Sequence, residues 1–407
     1  MHPAVRTSCA FPMEFYALKL LLLSFYYPPD IGPGALRAKA IVDALVSAGG
    51  KGLEIEVLTT QPNRYHSTNY LANKVERFPG VIVTRFSLPE LRNGYIDQAS
   101  AFYSFTRQAL RNTKGKEWDI VIATSGRLMT AFLGAWISRR TRTPLYLDIR
   151  DLFIDTIGDI FKKSPMRALI PVFKILEIFT FSTASKINVV SAGFLPYVRR
   201  LAPSAVLSEY TNGIDDEFLS VDFTRKETDP KGPPQVLYAG NIGDGQGLHR
   251  VIPEVAMRMA GQIDFLLVGD GGKRRELRYE LDRREIKNVR LLDPVPRHEL
   301  FEHYRNSDIL FLHLNDFQAF RKVLPSKIFE YAATGKPILA GVGGYAAEFL
   351  AEQVPGVEIF EPCNYIAMQQ SLLRILRGPR LFCRRDFCAR YLRKSIMTKM
   401  ATEITGL

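Results

Sequence analysis

The residues whose types suit phosphate chemistry lie in glycine-containing loops. Gly32 and Gly34 stand between a short apolar run and a helical pattern. Glycines at such a place let the backbone approach a phosphate, and the start of a helix offers free N–H donors. Because two glycines beside Pro33 could equally form a plain turn, this loop alone does not separate a phosphate site from a structural one.

Two further loops of this kind follow neighbouring strands later in the chain. The first contains Gly240, Asn241, Gly243 and Gln246, and the second begins at Gly269. Glycine-rich loops at adjacent strand ends of one sheet favour a nucleotide diphosphate as the ligand. Neither loop has the P-loop spacing, which disfavours ATP or GTP hydrolysis of the Walker type.

A third set of candidates combines a hydroxyl, a cation and a carboxylate at helical spacing. Ser326 stands at a predicted helix start, and Glu330 follows four residues later on the same side. A carboxylate there can accept hydrogen bonds from two vicinal hydroxyls of a ribose, and Lys327 can meet a phosphate. A solvated glutamate on a surface helix is the competing interpretation of Glu330.

Apolar runs and helical patterns alternate along the whole chain, which is typical of parallel sheets covered by helices. A cluster of Pro and Gly at 229–234 separates a first series of predicted strands from a second, which opens at Val236–Ala239. The pattern predicts an α/β fold with two Rossmann-like, doubly wound domains that face each other across a cleft. We place these domains at residues 1–215 and 216–386, followed by a C-terminal helix at 387–407 that returns to the N-terminal domain.

Composition excludes several classes of protein. The chain has 407 residues, 46% hydrophobic and 24% charged, so it is neither disordered nor collagen-like. The net charge of +12 suits anionic partners. Nucleic acid is disfavoured because no basic run interleaves with aromatic residues and no nucleic-acid-binding motif occurs. Four scattered cysteines, no leader and no membrane-spanning run favour a cytoplasmic protein without a metal site.

Taken together, the motifs resemble those of family 4 glycosyltransferases with the GT-B fold, over nearly the whole chain. The resemblance rests on Tyr27–Gly34, Thr211–Asp215, Tyr238–Gly240, Val268–Gly271 and Pro325–Pro337. It implies a nucleotide-sugar donor, for which we expect a UDP-sugar, bound by the C-terminal domain, and an acceptor bound by the N-terminal domain. It further implies retaining transfer without a bound metal, and main-chain contacts to the donor base near Val295.

The chain departs from the family pattern inside the same motifs. Lys322 occupies the place of the first of two glutamates that stand eight residues apart, and Glu330 is the second. Asn241 and Gln246 stand where the family commonly has arginine and lysine. Pro-Ser-Lys before the retained glutamate resembles a branch of polysaccharide-assembly transferases. We hypothesise that Lys327 replaces the missing pair of cations.

Arg150 and Asp151 follow the predicted strand Leu145–Ile149, where many family members carry His-Asp. Sugar transfer needs positive charge near the departing diphosphate and a base near the acceptor hydroxyl. We assign these roles to Arg150 and Asp151; an ion pair or cap between the two is the alternative. Asp148 could instead be the functional carboxylate, although strand alternation leaves Asp151 beyond the strand end.

The expected function is sugar transfer from a nucleotide-sugar to a lipid-linked or saccharide acceptor in cell-surface polysaccharide assembly. Two alternatives stay open. A sugar-nucleotide epimerase shares the two-domain architecture, and a transferase-like scaffold with a decayed donor site would explain Lys322, Asn241 and Gln246. The retained Lys327 and Glu330 argue against the scaffold.

One helical segment predicts contact with a membrane surface. Two lysines and an arginine at 162–167 lead into a helix in which five apolar residues and a threonine recur at helical spacing: Leu169, Val172, Phe173, Leu176, Phe179 and Thr180. Basic residues beside an apolar face suit an anionic bilayer, and residues 1–215 carry a net charge of +9. The competing interpretation is an ordinary amphipathic helix packed on the sheet. We expect a cytoplasmic protein that is peripheral to the membrane.

Overall fold

The computed structural model of the chain describes residues 17–30, 32–62, 72–89, 95–125, 128–154, 165–224 and 232–407. The described residues form two separate β-sheets, each covered by helices on both faces. The chain has the GT-B fold.

The first sheet has eight strands in the order β3-β4-β2-β1-β5-β6-β7-β8. The strands are β1 (Leu18–Leu23), β2 (Leu53–Thr60), β3 (Val75–Phe78), β4 (Val81–Phe86), β5 (Ile120–Ser125), β6 (Leu145–Ile149), β7 (Lys186–Val189) and β8 (Val206–Glu209). All neighbouring pairs are parallel except β3 with β4. The strand order reverses between β1 and β5, and ligands of such sheets bind beyond the carboxyl ends at this point.

Helices cover both faces of the first sheet because side chains along the apolar strands alternate between two layers. Leu21 and Leu23 pack towards one layer, formed by α2 (Tyr95–Asn112), α3 (Leu128–Thr141), α4 (Ile170–Thr183) and α5 (Leu195–Leu201). Leu20 and Leu22 pack towards α1 (Pro33–Gly49) on the opposite face. The two layers enclose the core of this half and fix the loops at the strand ends.

The second sheet has six parallel strands in the order β11-β10-β9-β12-β13-β14. They are β9 (Gln235–Ala239), β10 (Asp264–Val268), β11 (Val289–Leu292), β12 (Ile309–His313), β13 (Ile338–Gly341) and β14 (Val357–Phe360). The helices of this half are α6 (Glu217–Ser220), α7 (Leu248–Arg258), α8 (Arg274–Arg283), α9 (Arg297–Asn306), α10 (Lys327–Ala333), α11 (Tyr345–Gln353) and α12 (Tyr365–Arg377). The strand order reverses between β9 and β12.

The tail, predicted as one helix from residue 387, consists of two helices, α13 (Arg385–Arg390) and α14 (Arg393–Thr405). The break lies at Tyr391 and Leu392, where the tail crosses beside Ile214. Ile214 donates its N–H to the carbonyl of Tyr391 (2.7 Å), and Arg393 donates its N–H to the carbonyl of Ile214 (2.8 Å). The backbone needs these bonds at the crossing, so the helix cannot continue through it.

After the crossing, α14 packs on the first half. Its apolar side chains join the layer of α1: Ile396, Met397, Met400, Ala401 and Ile404. Glu403 accepts hydrogen bonds from the hydroxyls of Tyr146, Ser208 and Tyr210 at 2.9–3.2 Å. The last helix therefore completes the first half rather than the second.

Candidate functional site

Residues from both halves line one cavity of about 520 Å³ between the carboxyl ends of the two sheets. The first half contributes Gly32, Pro33, Leu36, Arg150, Asp151, Val190 and Asn212. The second half contributes three loops, the start of α10 and Arg393 from the start of α14. Both reversal points of strand order lead into this cavity, as expected for a ligand site of doubly wound sheets.

The first-half loop places Gly32 and Gly34 differently. Gly32 precedes α1 and lines the cavity, whereas Gly34 does not. A Cβ atom at Gly34 would overlap Nη1 of Arg150, so the guanidinium lies directly against this glycine. Gly34 thus leaves room for the Arg150 guanidinium, and its role as a ligand contact stays a prediction.

Arg150 and Asp151 follow β6 and line the cavity together. Asp151 is exposed and Arg150 is half-buried, so a carboxylate and a cation of the first half both face the second half. This arrangement provides a proton acceptor and a positive charge on the side of the cavity opposite the glycine-rich loops.

Asp148, the alternative carboxylate, lies outside the cavity and is fully buried. Arg37 binds both of its oxygens, Nε to Oδ2 at 2.8 Å and Nη2 to Oδ1 at 2.7 Å. The same guanidinium donates to the carbonyls of Tyr210 and Thr211. Through Arg37, Asp148 thus ties α1 to the segment at residues 210–211. Its buried position outside the cavity does not support a chemical role.

The two glycine-rich loops of the second half pack against each other. Gly240 and Gly269 have φ angles of 154° and 150°, and a Cβ at Gly269 would overlap the carbonyl of Gly240. Asn241 donates from Nδ2 to Oε1 of Gln246 at 2.8 Å, and the N–H of Gly243 reaches the same oxygen at 3.2 Å. Of this set, Gly243 alone does not line the cavity. It supports Gln246 instead.

Ser326, Lys327 and Glu330 line the cavity from the start of α10. Lys327 donates from Nζ to Oε2 of Glu330 at 3.1 Å, and the hydroxyl of Tyr304 donates to the same oxygen at 3.1 Å. The Glu330 side chain is 21% exposed, so it is not the solvated surface glutamate of the competing interpretation. Lys327 also passes close to Gly240, which places the cation beside the first glycine-rich loop.

The charge of Glu330 depends on its cationic neighbours. Burial alone would raise the pKa of this carboxyl, but Lys327, Arg297 and Arg393 hold the pKa below its usual value. Glu330 is therefore an anion at neutral pH and can accept hydrogen bonds on both of its oxygens.

Sequence reasoning missed Arg297 and Arg393, which both line the cavity. Both bind Asp215 at the crossing between the halves, Arg393 from Nε at 3.1 Å and Arg297 from Nη2. Arg297 follows Val295 by two residues in the sequence, and Val295 also lines the cavity. This proximity in sequence could have identified Arg297 as a site residue. Nothing in the sequence indicates Arg393, since α14 brings it to the cavity from the far end of the chain.

Lys322 lies outside the cavity at a contact between the halves. Its Nζ stands 5.2 Å from the centre of the Tyr197 ring, and its carbonyl accepts a hydrogen bond from the Ser191 hydroxyl at 2.6 Å. Residue 322 therefore helps to join the halves, while the cavity draws its positive charge from Arg150, Arg297, Lys327 and Arg393.

His313 ends β12 and touches the cavity, but its ring is 2% exposed and fully engaged. Nε2 accepts the N–H of Cys363 at 3.0 Å, so Nδ1 carries the proton and donates to the carbonyl of Gln246 at 2.6 Å. Burial lowers the pKa of His313 to about 4, which keeps the ring neutral. This histidine holds the first glycine-rich loop in place.

No cluster of three or more His, Cys, Asp or Glu side chains suited to a metal ion occurs among the described residues. In the same part of the chain, no helix is long and apolar enough to cross a membrane.

Residues 221–394 match the family described as "Glycosyl transferases group 1". This part of the chain is similar to group 1 glycosyltransferases. The matched region contains both glycine-rich loops, Lys327, Glu330, Arg297 and Arg393, whereas Gly32, Arg150 and Asp151 lie before it. The family match therefore covers the second-half wall of the cavity.

A relative is similar to part of the sequence of this chain, and two solved structures share its fold. A protein of Escherichia coli (strain K12) named as a colanic acid biosynthesis glycosyl transferase, WcaI, is 28% identical over 192 residues. That match spans 46% of this chain and 47% of the relative, about half the length of each.

The structural likeness extends over nearly the whole chain. Sucrose-phosphate synthase of Thermosynechococcus elongatus has a TM-score of 0.73 at 15% identity and covers 96% of this chain and 98% of its own. Anabaena HepE in complex with UDP and glucose has a TM-score of 0.64 at 15% identity and covers 96% of this chain and 100% of its own. At such identities the likeness establishes the GT-B fold, and nothing further about substrates.

Proposed function

We propose that the chain is a retaining glycosyltransferase that moves a sugar from a UDP-sugar to a lipid-linked or saccharide acceptor in cell-surface polysaccharide assembly. The observation that carries the proposal is the single cavity in which Lys327, Glu330 and two glycine-rich loops face Arg150 and Asp151 of the other half. The UDP in the HepE complex and the name of the WcaI relative support the donor and the pathway class.

On this proposal, the second half holds the donor. Glu330, kept anionic by its cationic neighbours, accepts hydrogen bonds from the ribose hydroxyls. Val295 provides main-chain contacts to the base, and the backbone around Gly240 approaches the diphosphate. Lys327, next to Gly240, neutralises negative charge on the phosphates as the nucleotide departs.

The first half holds the acceptor. The bond between the anomeric carbon and the diphosphate oxygen breaks, and a bond to the acceptor oxygen forms on the same face of the sugar. Asp151 takes the proton of the attacking hydroxyl, and Arg150 adds positive charge beside the leaving group. We propose that the reaction needs no bound metal and that the protein works at a cytoplasmic membrane surface, where a lipid-linked acceptor is presented.

The first test is thermal stabilisation by UDP, GDP and ADP. Binding at about 100 times Kd adds roughly 2.7 kcal/mol of stability, which a melting curve resolves. We expect one nucleotide, UDP, to raise the melting temperature of the wild type and not that of Glu330→Ala. Glu299→Ala, which removes an exposed carboxylate from α9, is the matched control and should respond like the wild type.

The outcomes separate the candidate functions. Stabilisation by UDP that Glu330→Ala abolishes supports the donor site, and transfer assays with and without EDTA then test independence from metal. Retention is tested by the anomeric configuration of the product in NMR spectra. Absence of stabilisation by all three nucleotides would overturn the proposal in favour of a scaffold with a decayed donor site, an outcome that the neutral Asn241 and Gln246 make worth testing.

A further inference from the structure

Helix α4 is apolar on both of its sides, although it lies on the surface. Three of the residues predicted to form its apolar face, Phe173, Leu176 and Phe179, are partly buried and lie on the side of the helix that faces the protein. The opposite side is apolar too: Val172, Ile175 and Ile178 are 52%, 68% and 49% exposed. Val172 belongs to the predicted apolar face, whereas Ile175 and Ile178 were not part of it. A helix that is apolar all round is normally covered on both sides.

The exposed apolar surface continues beyond α4. Leu169, just before the helix, is 45% exposed, and Trp136 on the neighbouring α3 is 48% exposed. The ring of Phe132 joins the two helices, with its centroid 5.6 Å from that of Phe179 and 6.3 Å from that of Trp136. We call this surface the α3–α4 face and define it by Trp136, Leu169, Val172, Ile175 and Ile178.

The charges around this face have one sign. The described segments 128–143, 165–183 and 192–203 expose only cations among their charged side chains: Arg139, Arg140, Arg142, Arg167, Lys174, Arg199 and Arg200. Their single acidic residue, Glu177, is buried and accepts a hydrogen bond from the Tyr197 hydroxyl. An apolar strip with a tryptophan, in described segments whose exposed charged side chains are all cations, complements the interface of a bilayer that contains anionic lipid.

We infer that the α3–α4 face docks on an anionic membrane, with Val172, Ile175 and Ile178 inserted among the lipid headgroups. The inner side of α4 supports the candidate catalytic loop, since the Phe173 and Phe153 rings stand 5.8 Å apart and Phe153 follows Asp151 closely. Docking in this way sets that loop beside the bilayer. Delivery of a lipid-linked acceptor to Asp151 rests on the proposed function, whereas the docking itself does not.

The test is cosedimentation of the full chain with vesicles of phosphatidylcholine alone or mixed with an equal amount of phosphatidylglycerol. The test variant carries Val172→Ser, Ile175→Ser and Ile178→Ser, which keeps every cation. The matched control carries Met257→Ser, Ile366→Ser and Leu381→Ser in the second half, where the side chains are 50%, 51% and 49% exposed. Both variants change exposed side chains, so their response to UDP in melting curves should equal that of the wild type.

We expect the wild type and the control to bind the anionic vesicles, and to bind neutral vesicles or anionic vesicles in high salt about tenfold more weakly. The test variant should lose about tenfold in affinity. Equal binding to neutral vesicles, or wild-type binding by the test variant, would overturn the inference. A wild-type dimer that the test variant converts to a monomer would also overturn it, in favour of a contact between two copies. Because vesicle binding needs no nucleotide, its result is independent of the donor-site test.

Discussion

At the scale of single residues, the donor wall of the cavity gathers its positive charge from several elements. Lys327 reaches Glu330 from the same helix, while Arg297 and Arg393 reach the cavity from α9 and α14. Asn241 and Gln246, which bind each other, leave the first glycine-rich loop without a cation of its own. The positive charge that the first glycine-rich loop lacks is thus supplied by side chains that are distant in sequence and come together only in the folded chain.

Lys327 and Lys322 should differ sharply in their effect on nucleotide binding. Lys327→Ala removes the cation beside Gly240 and Glu330, and a lost charge-assisted hydrogen bond corresponds to a roughly 10- to 100-fold rise in the Kd for UDP. Lys322→Ala removes a side chain that stacks on Tyr197 outside the cavity, so its Kd should change less than about threefold. Isothermal titration calorimetry measures both values.

Equal effects of the two substitutions would refute the assignment of Lys327 to the donor phosphates. Lys327→Arg serves as a control, since it keeps the charge and should retain most of the affinity.

His313 should make stability fall in mildly acidic solution. Its pKa is about 4 in the folded protein and 6.5 when unperturbed, so between these pH values the unfolded chain binds a proton that the folded chain does not. The stabilisation is therefore complete above pH 6.5 and is lost as the pH falls towards 4, by about 3 kcal/mol. Urea unfolding as a function of pH should show a smaller loss over this range in His313→Asn than in the wild type; parallel curves would contradict the prediction.

At the scale of elements, the buried pair of Arg37 and Asp148 joins α1 and β6 to the segment at residues 210–211. Asp148→Ala would leave the Arg37 guanidinium buried without its carboxylate, which typically costs about 3–5 kcal/mol of unfolding free energy. Asp151→Ala, at an exposed position, should change stability by about 0.5 kcal/mol or less and yet abolish transfer. Urea titrations and a transfer assay on both variants test this contrast. An Asp148→Ala protein that is stable and inactive would return the chemical role to Asp148.

The elements also show how far a sequence can predict this fold. Runs such as Val236–Ala239 and Leu145–Ile149 predict strands correctly because a strand buried on both faces needs mostly apolar residues. Strand β3 was missed because Val75–Phe78 is an antiparallel edge strand with mostly exposed side chains and no apolar pattern. Ile175 and Ile178 on the exposed side of α4 were missed because the predicted apolar residues already satisfied the helical period.

In the candidate site, too, residues selected by local structure could be predicted, and residues placed by long-range packing could not. Glycines and a helix start mark Gly32, Gly240, Lys327 and Glu330, since local backbone geometry selects these residue types. Arg393 could not be predicted, because its position depends on the path by which the tail recrosses to the first half. Gly34 and Gly243 were predicted from the same local signal; they contact Arg150 and Gln246 and do not line the cavity, and their contact with a ligand stays a prediction.

At the scale of the whole molecule, the halves touch at a tight backbone contact. A Cβ atom at Gly193 would overlap the carbonyl of Lys322, so Gly193→Ala should push the halves apart at this point. We expect the transfer rate to fall about 10- to 100-fold because Asp151 moves away from the donor wall. Gly52→Ala, where a Cβ meets no atom within 4 Å, is the control. Small-angle X-ray scattering should show a larger radius of gyration for Gly193→Ala alone, and identical profiles would contradict this account.

The place of α14 has a consequence for the order in which the molecule is built on the ribosome. Its residues Ile396, Met400 and Ile404 cover the α1 side of the first sheet, although nearly the entire second half is translated before them. While synthesis proceeds, that side of the first half is covered by α1 without α14, and the Glu403 carboxylate is missing from the hydroxyls of Tyr146 and Tyr210. The second half can mature as soon as it emerges, so the half that is translated first is the one that is finished last.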